Sequence, residues 1–128
     1  MTRPRTPPST RTTVKIGRRE LHLTNLDKVL YPEAGFTKGQ VIDYYARIAQ
    51  TIVPHLKDRP VTLKRYPSGV DGPFFFEKRC PPYKPDWLHT ADIWSKRNDD
   101  FLTFCTLDET AAVVWVANLA ALELHTLR

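Results

Sequence analysis

LTNLDKVLYPEAGFTKGQVIDYYARIAQTIV, Leu23 to Val53, is the stretch that decides how this chain folds. Its second half opens on Thr37-Lys38-Gly39-Gln40, which fits a capping box. The Thr37 hydroxyl can accept from the Gln40 amide, and the Gln40 side chain can reach back to Thr37. Val41, Tyr44, Tyr45, Ile48 and Ile52 then recur at helical spacing. The pattern predicts a helix to about Ile52 or Val53, closed by Pro54. In the first half, Thr24 or Asn25 can cap a single helical turn through Leu30. Tyr31-Pro32 ends that turn, and Glu33-Ala34-Gly35 reads as a loop. Lys28 and Lys38 thus flank a turn and a helix start. Free backbone amides and two ammonium groups at such a place can hold a terminal phosphate. The plainer alternative is a pair of solvated surface lysines.

Working outward, Val14 to Ile16 and Glu20 to Leu23 flank Gly17-Arg18-Arg19 as a short β-hairpin. Val61 to Tyr66 and Phe74 to Lys78 read as strands joined through the turn residues Pro67-Ser68-Gly69 and Asp71-Gly72-Pro73. Pro81, Pro82 and Pro85 enforce an extended linker to Trp87. Ala91 to Trp94 and Phe101 to Cys105 are short strands about an Asn98-Asp99-Asp100 turn. Thr106-Leu107-Asp108-Glu109 fits a second capping box. The helix after it, Leu107 to about Leu119, is apolar on nearly every side and must be buried. Leu122 to Leu127 closes the chain as a strand. The expected fold is α+β, a small, mostly antiparallel sheet with two main helices.

The chain has 128 residues, enough for one domain or part of one. Met1 to Thr13 is rich in Pro, Arg and Thr and reads as a disordered basic tail. Arg3, Arg5 and Arg11 with no acid account for three of the net +5 charges, leaving +2 for residues 14–128. Any phosphate binding must therefore be local rather than the effect of a basic whole. Cys80 and Cys105 lack metal-ligand spacing and make no disulfide framework. The expectation is two reduced cysteines in a cytoplasmic, nucleoid-associated protein. No apolar run approaches the roughly 20 residues that span a bilayer, and the N-terminus lacks a signal-peptide core.

Phe74-Phe75-Phe76 follows Lys64-Arg65 across the presumed hairpin. Three consecutive aromatics on a strand cannot all face one core, because side chains alternate. A ring on the cationic face could stack on a base, worth roughly 1–3 kcal/mol. The alternative buries Phe74 and Phe76 and covers Phe75 with the proline-rich linker. His125 in the last strand is by itself an ordinary strand histidine. His22, His55 and His89 show no ligand spacing. A two-metal nucleotidyl-transfer site needs converging carboxylates, and Asp-x-Asp occurs nowhere in this chain.

LTNLDKVLYPEAGFTK, RPVTLKRYPSGVDGPFFFEK, DWLHTADIW and VVWVANLAALELH, in that order, resemble the N-terminal part of the polymerase domain of bacterial ligase D. That family belongs to the archaeo-eukaryotic primase superfamily and acts in Ku-dependent double-strand-break repair. The resemblance runs from Thr13 to His125. It implies that Lys28 and Lys38, with Asn25 alongside, bind the 5′-phosphate of a DNA end. It implies that Phe75 and Phe76 stack against template and incoming nucleotide. Lys64 and His125 would line the nucleotide pocket. The family's catalytic Asp-x-Asp lies beyond the matched segment, so residues 14–128 are expected to be the end-binding portion without the metal site. Mn or Mg would be expected only with the catalytic half, and whether the chain is itself an enzyme stays open.

Three accounts fit: one piece of a split polymerase, a truncated form, or a free-standing module for 5′-phosphorylated ends. The apolar last helix and strand would be covered by a catalytic-half polypeptide, another protein or a second copy. Ligase D and Ku are the further partners the resemblance implies. The alternative function is a protein-interaction or regulatory subunit that completes a split polymerase, with little DNA binding of its own.

Overall fold

The computed structural model describes residues 11–126. Strands β1 (Arg11–Ile16) and β2 (Arg19–Thr24) form an antiparallel ribbon turning at Gly17, whose φ of 61° suits glycine. The ribbon begins earlier than the sequence predicted. Arg11, Thr12 and Thr13 are strand residues opposite Thr24, Leu23 and His22. β-Branched Thr12 and Thr13 fit a pleated surface, and the Thr13 hydroxyl lies 3.0 Å from His22 Nδ1. The expected disordered tail otherwise falls on residues 1–10, outside the described residues.

A second ribbon joins β3 (Val29–Tyr31) to β4 (Phe36–Thr37). It replaces the helical turn expected after Thr24. Asn25 takes a left-handed conformation, φ 55°, and its carbonyl accepts from the Lys28 amide at 3.0 Å. The tight turn ends the local helical option, and β-branched Val29 then pairs with Thr37.

Helix α1 (Lys38–Leu56) starts with the predicted capping box on Thr37 and Gln40. It continues past Pro54, because a proline in the last turn forfeits one hydrogen bond on an exposed side. Its buried residues are Lys38, Val41, Ile42, Ala49 and Leu56, while Tyr44 is 53% exposed. The packing face is thus rotated from the predicted one toward Ile42.

The main sheet contains β5 (Val61–Arg65), β6 (Phe75–Glu77), β7 (Thr90–Ser95), β8 (Asp100–Cys105) and β9 (Ala121–Thr126). Its path runs β6-β5-β8-β7, with β9 also on β5, and every pairing is antiparallel. Helix α2 (Thr110–Asn118) begins later than the sequence predicted, with Glu109 at its N-cap and no side-chain cap bond. The second capping box does not form. Asp108 instead accepts from the Asp58 amide at 3.0 Å and lies 3.0 Å from His89 Nδ1, fastening the exit of α1.

Helix α2 is the centre of three layers. Ala112, Val113 and Val116 pack with Val61, Leu63 and Ala121 of the sheet. Ala111, Val114 and Ala117 pack with Leu21 and Leu23 of the first ribbon and Ile42 of α1. Burial of each such Val or Leu side chain contributes about 1.5–3 kcal/mol. The proline-rich linker bends back so that the Cys80 amide donates to the Thr103 carbonyl at 2.7 Å. This sets Cys80 beside Cys105, Cα–Cα 4.9 Å, and the two form a disulfide. The expectation of two free thiols is therefore corrected: twenty-five residues of separation hid a contact made by chain reversal.

The turn after β5 presses on Leu30. Val70 donates its amide to the Leu30 carbonyl at 2.8 Å, and Gly69 has φ +93°. A Cβ on Gly69 would lie 2.9 Å from that same carbonyl oxygen. Gly69→Ala is therefore expected to lower the unfolding free energy by at least about 1–3 kcal/mol. Urea denaturation measures this, and an unchanged midpoint would refute the tight approach.

Candidate nucleic-acid interface

The turn at Asn25–Lys28 is stitched onto the start of α1 by two backbone bonds. The Lys38 amide donates to the Lys28 carbonyl at 2.7 Å, and the Gly39 amide to the Leu26 carbonyl at 2.8 Å. The approach at Gly39 is close, since a Cβ would sit 3.1 Å from the Leu26 oxygen. The Thr37 amide donates to Gln40 Oε1 and the Gln40 amide to Thr37 Oγ1. All four amides at this helix start are thereby used within the fold. The expected cluster of free amides does not exist, and anion binding at this place would fall to side chains.

Those side chains converge. Asn25, Lys28 and Lys38 line one cleft of about 240 Å³ together with Thr24, Arg65 and Asn118. Lys38 is 5% exposed, and its Nζ donates to the Thr24 hydroxyl at 3.2 Å. Asn118, the last residue of α2, accepts from the Thr24 amide at 2.9 Å and fixes the strand end that carries that hydroxyl. Burial, then the charges of Lys28 and Arg65, push Lys38 down to about 8. Three cations thus line the cleft, and Glu77, which pairs with Arg65 at 3.0 Å, is not among its lining residues. The excess positive charge favours an anionic occupant.

A second group lies across the sheet. Lys64 faces Phe76 on β6 and Glu123 on β9 in the strand register. Lys64 Nζ is 3.3 Å from Glu123 Oε2, 4.1 Å from the Phe74 ring centre and 5.3 Å from that of Phe76. His125 Nε2 lies 3.1 Å from Glu123 Oε1, and its ring meets Phe76 edge-on at 5.8 Å. Tyr66 donates its hydroxyl to Glu123 at 2.7 Å. That bond, with Lys64 and His125, holds the Glu123 carboxyl below its usual range, and burial opposes the shift.

Phe74, Phe75 and Phe76 are 51%, 42% and 54% exposed, which removes the alternative that buried Phe74 and Phe76. Phe75 and Phe76 do not form one platform. Phe76 belongs with Lys64 and His125, whereas Phe75 lies opposite Arg65, its ring centre 5.0 Å from the guanidinium carbon. The sequence reading missed Thr24, Arg65 and Asn118 in the cleft. It also missed Glu123, although Glu-x-His on a strand puts both side chains on one face. No sequence signal marked Asn118, whose contacts lie more than ninety residues away.

Among the described residues, no three His, Cys, Asp or Glu side chains converge as metal ligands. Glu123 and His125 are held by each other and by Lys64 and Tyr66. The described residues do not supply the donor set of a two-metal centre. No helix among them is long and apolar enough to cross a membrane.

An α+β half-sheet with a cationic cleft on one side and exposed phenylalanines beside it has the architecture of a primase-type polymerase module. The family described as LigD, primase-polymerase domain, matches residues 37–128, and the chain belongs to it. It is 44% identical over 103 residues to the multifunctional non-homologous end joining DNA repair protein LigD of Mycobacterium tuberculosis, covering 80% of this chain and 13% of that protein. It is 46% identical over 105 residues to the LigD of Mycolicibacterium smegmatis, covering 82% and 14%. With the bifunctional LigD of Bacillus subtilis the identity is 31% over 106 residues, covering 83% and 16%. Among solved structures, a polymerase domain from Mycobacterium tuberculosis ligase D in complex with DNA matches at TM-score 0.78 and 43% identity, covering 81% of this chain and 36% of that one. The chain thus spans a small fraction of the curated relatives it matches.

The lowered Lys38 value fixes a sign. Between about pH 8 and 10.5 the unfolded chain holds this proton more tightly than the folded one, so unfolding free energy should rise with pH across that window. Below it, the buried charge costs stability in full. Denaturation curves of wild type and Lys38→Met, compared across the window, test this. The difference between the two should shrink as pH rises, and a constant difference would show that Lys38 is not charged against its surroundings.

Proposed function

We propose that this chain is the DNA-end-recognition portion of a LigD-type repair polymerase and binds a 5′-phosphorylated end or gap. The carrying observation is the cleft in which Lys28 and Lys38 meet with Asn25 at its edge. The two ammonium groups clamp the terminal phosphate, and Asn25 orients it through its amide. Phe75 and Phe76 stack on template and incoming nucleotide from the two sides of β6. Lys64 and His125 line part of a nucleotide pocket, with Glu123 holding both in place. The matched polymerase domain, described as in complex with DNA, supports this reading. In this reading the chemical step belongs to a carboxylate-bearing half, with Mn or Mg bound there. Ligase D, Ku and the nucleoid are the expected surroundings.

Fluorescence anisotropy on a gapped duplex with 5′-phosphate or 5′-hydroxyl tests the reading. Wild type should prefer the phosphate by about tenfold or more, the worth of a charge-assisted contact. Lys28→Ala/Lys38→Ala should bind both ends alike. The pure chain with manganese and ribonucleotides should extend no primer, and extension would overturn the non-catalytic assignment.

A second reading, a protein-interaction or regulatory subunit, is favoured by one specific feature. Tyr44, Tyr45, Ile48, Ile52, Leu122 and Leu124 line an open apolar groove between α1 and β9. Among the described residues β9 pairs only with β5, so its outer edge is open as well. A catalytic-half polypeptide or a second copy would cover both. Sedimentation of wild type and Tyr44→Asp reads self-association there. Dimerisation lost in the variant, together with equal binding of both DNA ends, would put this reading first.

A further inference from the structure

The cleft contains a third cation that the reading above leaves unused, and its surroundings differ from those of the two lysines. Arg65 ends β5, opposite Phe75 on β6 and Ala121 on β9. Its Nε donates to the Leu119 carbonyl at 2.9 Å, at the C-cap of α2. Its NH1 donates to Glu77 Oε1 at 3.0 Å and more weakly to the Tyr83 hydroxyl at 3.4 Å. Among the described residues its NH2 group has no hydrogen-bond partner. Nε and NH1 are therefore engaged and the NH2 group between them is unspent, on a side chain that lines the cleft together with Lys28 and Lys38. A guanidinium held this way can donate from its NH2 group to an anion without first being ordered. The carbon of the same guanidinium lies 5.0 Å from the centre of the Phe75 ring.

A purely structural arginine would need only the Leu119 and Glu77 bonds, which join β6 to the end of α2. Those bonds do not account for two lysines beside it, nor for an exposed ring resting on it. Charge and ring share one group, so what binds the charge must act on the ring. We propose that Arg65 is a positioning residue that couples the two parts of the DNA-end site. It shares the 5′-phosphate with Lys28 and Lys38 and, through its contact with the ring, holds Phe75 in the orientation that stacks on the terminal base. This rests on the DNA-end reading above.

The experiment uses the full chain and a gapped duplex with 2-aminopurine at the terminal template position, with either 5′-phosphate or 5′-hydroxyl. Anisotropy reports affinity, and 2-aminopurine quenching at saturation reports stacking. In wild type the phosphate should raise the stacked fraction about threefold, the size of a cation–π contact. Arg65→Lys keeps the charge and loses the planar, anchored guanidinium. It should keep most of the phosphate preference in affinity while its quenching becomes the same for both ends. Phe75→Leu should keep the preference and lose the quenching with either end. Arg65→Lys quenching that still follows the phosphate as in wild type would overturn the proposal. Wild-type quenching identical for the two ends would overturn it too, without any variant and so regardless of whether Arg65→Lys folds. A wild type with no phosphate preference in affinity would instead overturn the DNA-end reading, and the coupling would fall with it.

Discussion

Helix α2 has no polar face, and the fold is arranged to cover it. Val113, Val114 and Val116 are fully buried although they point in different directions around the helix. A sheet can cover one side of such a helix. The β1–β2 ribbon and α1 must cover the rest. This requirement also builds the cleft. The ribbon can lie over α2 only if β2 ends beside the last turn of the helix, where Asn118 takes the Thr24 amide. Thr24 then presents its hydroxyl to Lys38, and the chain turns at Asn25 onto the start of α1. The cationic cleft is a by-product of closing the core, which is why its members come from four separate segments.

Local chemistry was legible in the sequence, and chain reversal was not. The Thr37–Gln40 capping box, the two helices and the first hairpin rest on neighbours within a few residues, and the pairing of β5 with β6 on turn residues between adjacent strands. All are present. The misreadings have a common cause. A helical turn after Thr24 and a cap at Thr106 were locally reasonable, but Val29 found a strand partner and Asp108 found the amide of Asp58. The Cys80–Cys105 bond and the Asn118 contacts depend on segments far apart in sequence, for which spacing carries no signal.

The candidate site was half legible in the same sense. Lys28, Lys38 and Asn25 could be grouped because they flank one short segment, which the structure shows to be the β3–β4 ribbon. Lys64 and His125 could be grouped only through a resemblance, and the register that unites them also supplies Glu123. Alternation on β6 shows that Phe75 and Phe76 cannot act as one surface. Each ring has its own cation, Arg65 for one and Lys64 for the other, so the two faces of the sheet carry separate chemistry.

The free amides expected at the start of α1 are all occupied, and this changes what kind of anion site the cleft can be. A helix N-terminus offers fixed dipoles with no dependence on pH. A cleft of side-chain cations offers movable charge, and one of these cations is held near the edge of its protonated range by burial and by its neighbours. An anion entering the cleft would supply the counter-charge that this crowding lacks and would pull Lys38 back toward its charged form. Occupancy and protonation are therefore linked. On the DNA-end reading proposed above, the same crowding of positive charge would favour a doubly charged terminal phosphate over the singly charged phosphates along a strand.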